Sequence, residues 1–387
     1  MNNDSTPSKI RVAVLAGARS TEHEVSLVSA YNIAKAIDRN KYEVFVVGID
    51  KDGTWRQYDA ENFVVNPSGV GHAQLSDVPI SGRLSVTQNS PAFYDIDNGG
   101  RVAFECDVVF PAVLGNYAED GTMQGLLRMM DVPFTTPDVL GSAAAMDKDV
   151  AYRLLRDAGI KVAKFVTLRK NAPHRRYEEL RNELETDIIF VKPANAGSSV
   201  GVSKVTNAEE FDKALALAFL YDVKVIVQAG IIGREVEISA MGLIGQHEVS
   251  VIGEIVENDP NDFYSYDNKY VHSEKVQLIA PAQLDDSVRQ EIEQLAVRVC
   301  ETLECEGFGR VDFFVDTHNT VYVNEINTMP GFTAISMFPR LWGVSGVPYP
   351  ELVDHLLSLA VQRYDYRIAP LILNADDVIT AANESDS

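Results

Sequence analysis

The sequence predicts an α/β plus α+β protein. An N-terminal doubly wound parallel-sheet domain (residues 1–140) is followed by a central lobe (141–230), a C-terminal lobe (231–366) and an acidic tail (367–387). Three observations predict this. The chain has 387 residues, more than the roughly 100–200 of one typical domain. Residues 10–49 run strand, helix, strand, the order of a parallel α/β unit. Near the C-terminus, two apolar runs joined by a short polar turn read as an antiparallel hairpin.

The elements follow in order. Residues 10–15 are a short apolar strand running into Ala16-Gly17-Ala18. Residues 25–37 carry Val28, Ala30, Ile33, Ala34 and Ile37 at helical spacing. Residues 43–49 are a second strand, 63–100 are loop-rich, 107–113 form a strand and 121–130 a helix. The second block has a helix at 144–158, a strand at 161–168, a helix at 177–185, a strand at 187–193, a helix at 208–220 and a strand at 224–231. The third has strands at 236–241 and 248–256, a polar, aromatic loop at 257–275 and a helix at 287–303. Strands at 308–315 and 320–327 and a closing helix at 350–364 complete it. No internal repeat interrupts the pattern, and the tail, with no Lys or Arg after Arg367, reads as solvated.

Composition narrows the function. Lys+Arg 34 against Asp+Glu 56 gives a net charge of −22, which argues against nucleic acid or anionic lipid as partners. Hydrophobic residues make up 46%, enough for a real core, but the apolar stretches are strand-sized, so no membrane span is expected. The start, MNNDSTPSKI, lacks the basic-then-apolar pattern of a secretory signal. Cys106, Cys300 and Cys305 have neither metal-type spacing nor a disulfide framework, which fits a reducing cytoplasm.

The sharpest local signal is FGRVDFFVDTHNTVYVNEINT. Strand alternation puts Arg310, Asp312 and Phe314 on one face, and Val321, Val323, Glu325 and Asn327 on one face of the return strand. A four-residue turn at 317–320, with Asp316 opposite Val321, sets Asp312 opposite Glu325 and Arg310 opposite Asn327. Facing carboxylates repel. A hard cation such as Mg²⁺ removes that cost and takes two carboxylates and an amide oxygen as ligands. Neutralisation by Arg310, or a solvated sheet face, are the alternatives.

A second signal is the loop Val191-Lys192-Pro193-Ala194-Asn195-Ala196-Gly197-Ser198-Ser199-Val200-Gly201. Gly and Ser allow backbone N–H groups close to an anion, and Lys192 adds positive charge. It is neither a P-loop nor a dinucleotide fingerprint. Gly197-x-Ser199-x-Gly201 matches a hydrolase elbow formally, but no strand runs directly into Gly197 and no helix obviously starts at Val200. An ordinary glycine-rich turn is the plain alternative.

Together these pieces resemble the D-alanine–D-alanine ligases of the ATP-grasp superfamily, from about residue 10 to 364. The ordered motifs are Ser20-Thr21-Glu22-His23-Glu24-Val25-Ser26, Glu119-Asp120-Gly121-Thr122-Met123-Gln124-Gly125 and Met146-Asp147-Lys148. After the small-residue loop come Gly233-Arg234-Glu235 and Phe263-Tyr264-Ser265-Tyr266-Asp267-Asn268-Lys269-Tyr270. Gly309-Arg310-Val311-Asp312 and Asn324-Glu325-Ile326-Asn327-Thr328-Met329-Pro330-Gly331 close the series.

The resemblance implies a two-lobed ATP-grasp fold after the N-terminal domain and ATP-dependent ligation of two D-alanine molecules for peptidoglycan precursors. ATP is implied between the lobes, with Lys148 and Lys192 on its phosphates, residues 228–231 (Gln228 to Ile231) beside adenine and Glu235 on the ribose. Asp312, Glu325 and Asn327 are implied ligands of two Mg²⁺ (or Mn²⁺) ions. Ser198 and Ser199 belong to a loop closing on the γ-phosphate, and Lys269, in the lid loop 257–275, adds a phosphate contact. Glu22 is implied to hold the first ammonium group, Ser336 with Arg310 the second carboxylate, and Arg310 with the backbone near Gly331 the oxyanion. A homodimer is implied as well.

Four positions depart from the family pattern. Leu114 replaces a His, Ala18 and Ala118 replace glycines and are expected to resist positive φ, and Gln228 replaces a Glu. Tyr270, whose hydroxyl would bridge Glu22 and Ser198, is kept, and this favours the amine acceptor D-alanine. A ligase with another acceptor (D-lactate, D-serine or another amino acid), a nucleotide-binding regulator without turnover and a serine hydrolase using Ser199 stand as alternatives.

Overall fold

The computed structural model describes residues 8–257 and 276–368. The first sheet holds strands β1 (Ile10–Gly17), β2 (Tyr42–Ile49), β3 (Trp55–Tyr58) and β4 (Val108–Pro111) in the order β3-β2-β1-β4. β2 and β4 run parallel to β1, and helix α1 (His23–Ala36) makes the β1–β2 crossover. β1 is a near-continuous apolar run because both of its faces are covered. Val12, Val14 and Ala16 pack with α1, while Ala13 and Leu15 face a second core with Phe93, Phe104 and Val109. The loop-rich stretch 63–100 proves to carry short antiparallel pairings, Leu84–Val86 with Ala92–Asp95 among them, and Ala92–Asp95 pairs in turn with Arg101–Glu105 just beyond it.

Helix α2 (Thr122–Met129) precedes α3 (Val139–Met146) and α4 (Lys148–Asp157). The single helix expected at 144–158 is therefore broken. Asp147 is extended (φ −83°, ψ 97°), and its Oδ1 accepts from the N–H groups of Asp149 and Val150, both at 3.1 Å. This N-cap starts a new helix and places Lys148 at its first residue.

The second sheet is antiparallel, with β5 (Phe165–Arg169), β6 (Ile189–Pro193), β7 (Ser203–Val205) and β8 (Lys224–Ala229) in the order β5-β8-β6-β7. Ile189, Val191, Val205, Val225 and Val227 pack against α5 (Tyr177–Leu184) and α6 (Ala208–Tyr221). Alternation turns Phe190, Lys192, Ile226 and Gln228 to the other face, where Ile226 meets Tyr152 of α4.

The third sheet runs β11-β10-β9-β12-β13, all antiparallel: β9 (Gly233–Gly242), β10 (Glu248–Glu257), β11 (Val276–Ile279), β12 (Gly307–Asp316) and β13 (Val321–Asn327). Helix α7 (Asp286–Thr302) covers the face bearing Val236, Ile238, Val311, Phe313, Val315, Val321, Val323 and Ile326. Helices α8 (Met337–Val344) and α9 (Tyr349–Arg363) follow. Leu352, Val353, Leu356 and Leu357 of α9 join Phe308, Phe332 and Phe338 in one core with α1 and β1.

In the β12–β13 hairpin, Arg310 pairs with Asn327 and Asp312 with Glu325, as expected. The route differs. The Asp316 N–H donates to Thr320 O at 3.0 Å and Asn319 is left-handed (φ +61°), so the turn spans residues 317–319 rather than 317–320. A bulge on the return strand offsets the lost residue: Phe313 faces Val323, Asp312 faces Glu325, and Asn324 is the extra residue. The bulge also corrects the expected face. Val321 and Val323 point into the core with Ile326, whereas Glu325 and Asn327 share the face of Arg310 and Asp312.

Candidate active site

Glu22 ends the segment between β1 and α1 and is buried. Glycine backbones approach its carboxylate from two directions. A Cβ at Gly115 would lie 2.9 Å, and one at Gly197 2.8 Å, from Glu22 Oε2, so neither position has room for a side chain without displacement. Ser198 Oγ donates to Glu22 Oε1. Ser198 and Ser199 both have positive φ (47° and 58°), and between β6 and α6 the chain makes turns and a short strand, not the strand-to-helix elbow of a hydrolase.

Glu22, Ser198, Arg310, Asn327, Gly331 and Ser336 line one cavity of ≈ 280 Å³. Ser336 Oγ accepts from the Thr333 N–H at 3.0 Å, and a Cβ on Gly331 would come within 2.7 Å of that oxygen. Arg310 forks onto Asp312, Nε to Oδ1 and Nη2 to Oδ2, both at 2.7 Å. Asn327 Nδ2 donates to Asp312 Oδ2 at 3.0 Å.

The remaining predicted groups gather next to this cavity. Lys148 Nζ lies 3.1 Å from Glu325 Oε2 and donates to Ala196 O at 2.9 Å. Burial is the largest single influence and opposes its charge, but Glu325, Tyr152 and Glu119 together outweigh it and lift the ammonium above the ordinary lysine value. Lys192 Nζ donates to Tyr152 Oη at 2.9 Å. Burial first, and the Lys148 charge second, push Lys192 down to about 7. Gln228 is buried on the same sheet face. Ile231 lies half-buried on the link from β8 to β9, and half-buried Glu235 raises the Lys192 value slightly. Lys269 and Tyr270 lie outside the described residues.

Three residues at the site escaped the sequence reading as site residues. Glu119 lines the cavity, accepting from the Gly115 N–H at 2.7 Å and the Met329 N–H at 3.0 Å; burial, then the charge of Glu22, raises it to about 8. Glu237 faces the same cavity. Its signal was its place two residues after Glu235 on a strand. Tyr152 was legible as the residue one helical turn after Lys148. Of the departures, Leu114 is buried and lines the cavity. Ala18 takes φ +123° all the same, a strained value for a residue with a Cβ. Ala118 does not: its neighbour Tyr117 carries the positive φ (67°).

Among the described residues no helix is long and apolar enough to cross a membrane. Nor is there a cluster of three or more His, Cys, Asp or Glu side chains able to hold a metal ion.

Residues 11–137 match the family described as D-ala D-ala ligase N-terminus, and residues 154–358 match D-ala D-ala ligase C-terminus. A D-alanine–D-alanine ligase A from Salmonella typhimurium is 45% identical over 358 residues, 92% of this chain and 97% of that relative. The structure of a D-alanine–D-alanine ligase from Coxiella burnetii superposes with a TM-score of 0.77 at 34% identity, covering 94% of this chain and 98% of its own. The VanG D-Ala:D-Ser ligase from Enterococcus faecalis gives 0.77 at 33% identity, covering 91% and 100%. The chain belongs to the D-Ala–D-Ala ligase family.

Proposed function

We propose that this chain is an ADP-forming ligase that joins two D-alanine molecules through D-alanyl phosphate, supplying D-alanyl-D-alanine for peptidoglycan precursors. The observation that carries it is the cavity itself. It brings a buried carboxylate (Glu22), a guanidinium (Arg310) and a hydroxyl (Ser336) together around one space, next to two buried lysines. Such a space takes a small zwitterion by both ends, with an anion alongside.

The chemistry follows. A carboxylate is a poor electrophile, and phosphorylation by ATP gives it a good leaving group. Glu22 holds the first ammonium group, and Ser198 fixes the Glu22 carboxylate. Lys148 and Lys192 receive the phosphates; their burial makes an anion the natural partner of their charge. Gln228 and Ile231 face adenine, Glu235 the ribose, and Ser199 and Lys269 the terminal phosphate. Ser336 and Arg310 bind the second carboxylate. The deprotonated second amine attacks the acyl carbon, phosphate leaves, and Arg310 with the Gly331 backbone stabilises the oxyanion. The part the family pattern gives Tyr270, bridging Glu22 and Ser198, falls on a residue outside the described ones.

Asp312, Glu325 and Asn327 fit two Mg²⁺ (or Mn²⁺) ions by donor chemistry: two facing carboxylates and an amide, all oxygen donors. In this structure Arg310 pairs with Asp312 and Lys148 with Glu325. Bound there, the ions would offset the charge of the triphosphate. A homodimer working in the cytoplasm completes the reading.

Leu114 favours one second reading, an acceptor other than D-alanine, because an apolar wall replaces the family His. One experiment separates them: ADP release with and without D-alanine, with product mass recorded, and D-serine and D-lactate as competitors. D-Alanine-dependent ADP and a dipeptide mass support the ligase; a depsipeptide or mixed dipeptide as the main product supports the second reading. Glu325→Gln should cut turnover by roughly 100-fold or more with an unchanged circular dichroism spectrum. Near-normal turnover would refute the metal assignment.

A further inference from the structure

Glu237 sits in the middle of β9 between the core residues Val236 and Ile238, and is 2% exposed. It lies opposite Asp312, and its Oε2 is 3.0 Å from Arg310 Nε. Arg310 is itself 13% exposed and already forks onto Asp312. Two nearly water-free carboxylates thus share one guanidinium. A carboxylate buried this deeply is costly unless a charge faces it, and Arg310 is the guanidinium that faces Glu237. Arg310 has a reason to need it. In the ligase reading, on which this inference rests, Asp312 also serves divalent ions, and an arginine held by Asp312 alone would be pulled with it. Glu237 approaches from another strand, outside the metal-binding set.

We propose that Glu237 is a positioning residue: it anchors Arg310 independently of Asp312, so that the guanidinium keeps facing the acceptor carboxylate and the oxyanion while Asp312 engages the ions. Glu237 acts through Arg310 and does not itself touch the nucleotide.

The test is a double-mutant cycle on the full chain with ATP, Mg²⁺ and D-alanine. Glu237→Ala is expected to lower kcat/KM for D-alanine by about 10–100-fold, as loss of a supporting partner does, with KM for ATP within about twofold. Glu237→Gln, which keeps an acceptor for Arg310 Nε, should recover part of the loss. In an Arg310→Lys background, Glu237→Ala should cost no more than about twofold further. Circular dichroism spectra of both Glu237 variants should match the wild type, so that the loss reads as one of positioning and not of fold. Wild-type-like activity in Glu237→Ala, an equal loss in both backgrounds, or a loss confined to KM for ATP would overturn the inference while leaving the ligase reading standing. Absence of D-alanine-dependent ADP release by the wild-type chain would overturn the reading and the inference together.

Discussion

Lys192 shows how a single side chain encodes the expectation of an anion. It lies on the face of the second sheet opposite the α5–α6 core, with Tyr152 Oη at 2.9 Å. Burial, reinforced by Lys148, brings its ammonium from 10.5 down to about 7. In the free protein, therefore, the unfolded chain holds more protons than the folded one between about 7 and 10.5. This group makes stability rise with pH across that window and leaves its full cost in place below it. A triphosphate reverses the balance: its negative charge restores the ammonium, and binding takes up a proton wherever the free group is mostly neutral. At about pH 8, calorimetry of ATP binding in buffers of different ionisation enthalpy should report net proton uptake. Lys192→Met should abolish that uptake and weaken ATP by roughly tenfold or more. Buffer-independent heats in the wild type would refute the assignment. The sequence marked Lys192 as a charge at a small-residue loop, but not as a buried one, because burial here comes from Tyr152 on a helix that begins 44 residues earlier.

The hairpin shows what strand alternation can and cannot deliver. The facing of Asp312 and Glu325 was legible because cross-strand pairing depends on the sum of turn length and bulges. Two departures cancelled: a turn one residue shorter, with left-handed Asn319, and one extra residue at Asn324. The face of Val321 and Val323 was not legible, since a bulge leaves no signature in a period-two pattern. Its effect is to turn Glu325 and Asn327 away from Val323 and towards Asp312. Deleting Asn324 keeps all of the cross-strand partners while removing the bulge. The expected result is a folded chain whose melting temperature shifts by a few degrees, about 1 kcal/mol, and whose turnover falls at least roughly tenfold. Undiminished turnover would mean that the pairing alone aims the carboxylates. The same limit explains the helix broken at Asp147. The apolar spacing runs through it, and the cap is visible only as an Asp followed by helix formers, a weak signal inside a periodic segment.

At the scale of the whole molecule, the local α/β and α+β units were readable from their periodicity, whereas the contacts between them were not. The closing helix, expected at 350–364 and found at Tyr349–Arg363, ends on a residue whose role lies far away in sequence. Arg363 is buried. Its Nη1 donates to Thr136 O at 2.6 Å and to Glu306 O at 3.2 Å, its Nη2 donates to Phe134 O at 2.6 Å, and its guanidinium lies 4.8 Å from the Phe134 ring centre. One side chain thereby ties α9 to the segment between α2 and α3 and to the start of β12. The charge is accepted there because backbone carbonyls replace its water. Arg363→Met fills much of the same volume but leaves those carbonyls without their donor, each costing about 1–3 kcal/mol. The variant should lose about 3 kcal/mol or more in urea unfolding, while KM for ATP and for D-alanine, measured well below its melting temperature, stays within about twofold, since Thr136, Phe134 and Glu306 do not line the cavity. A loss under about 1 kcal/mol would show that water takes over the carbonyls. A large rise in either KM would show that the tie also sets how Glu22 on one side and Arg310 on the other approach the substrate.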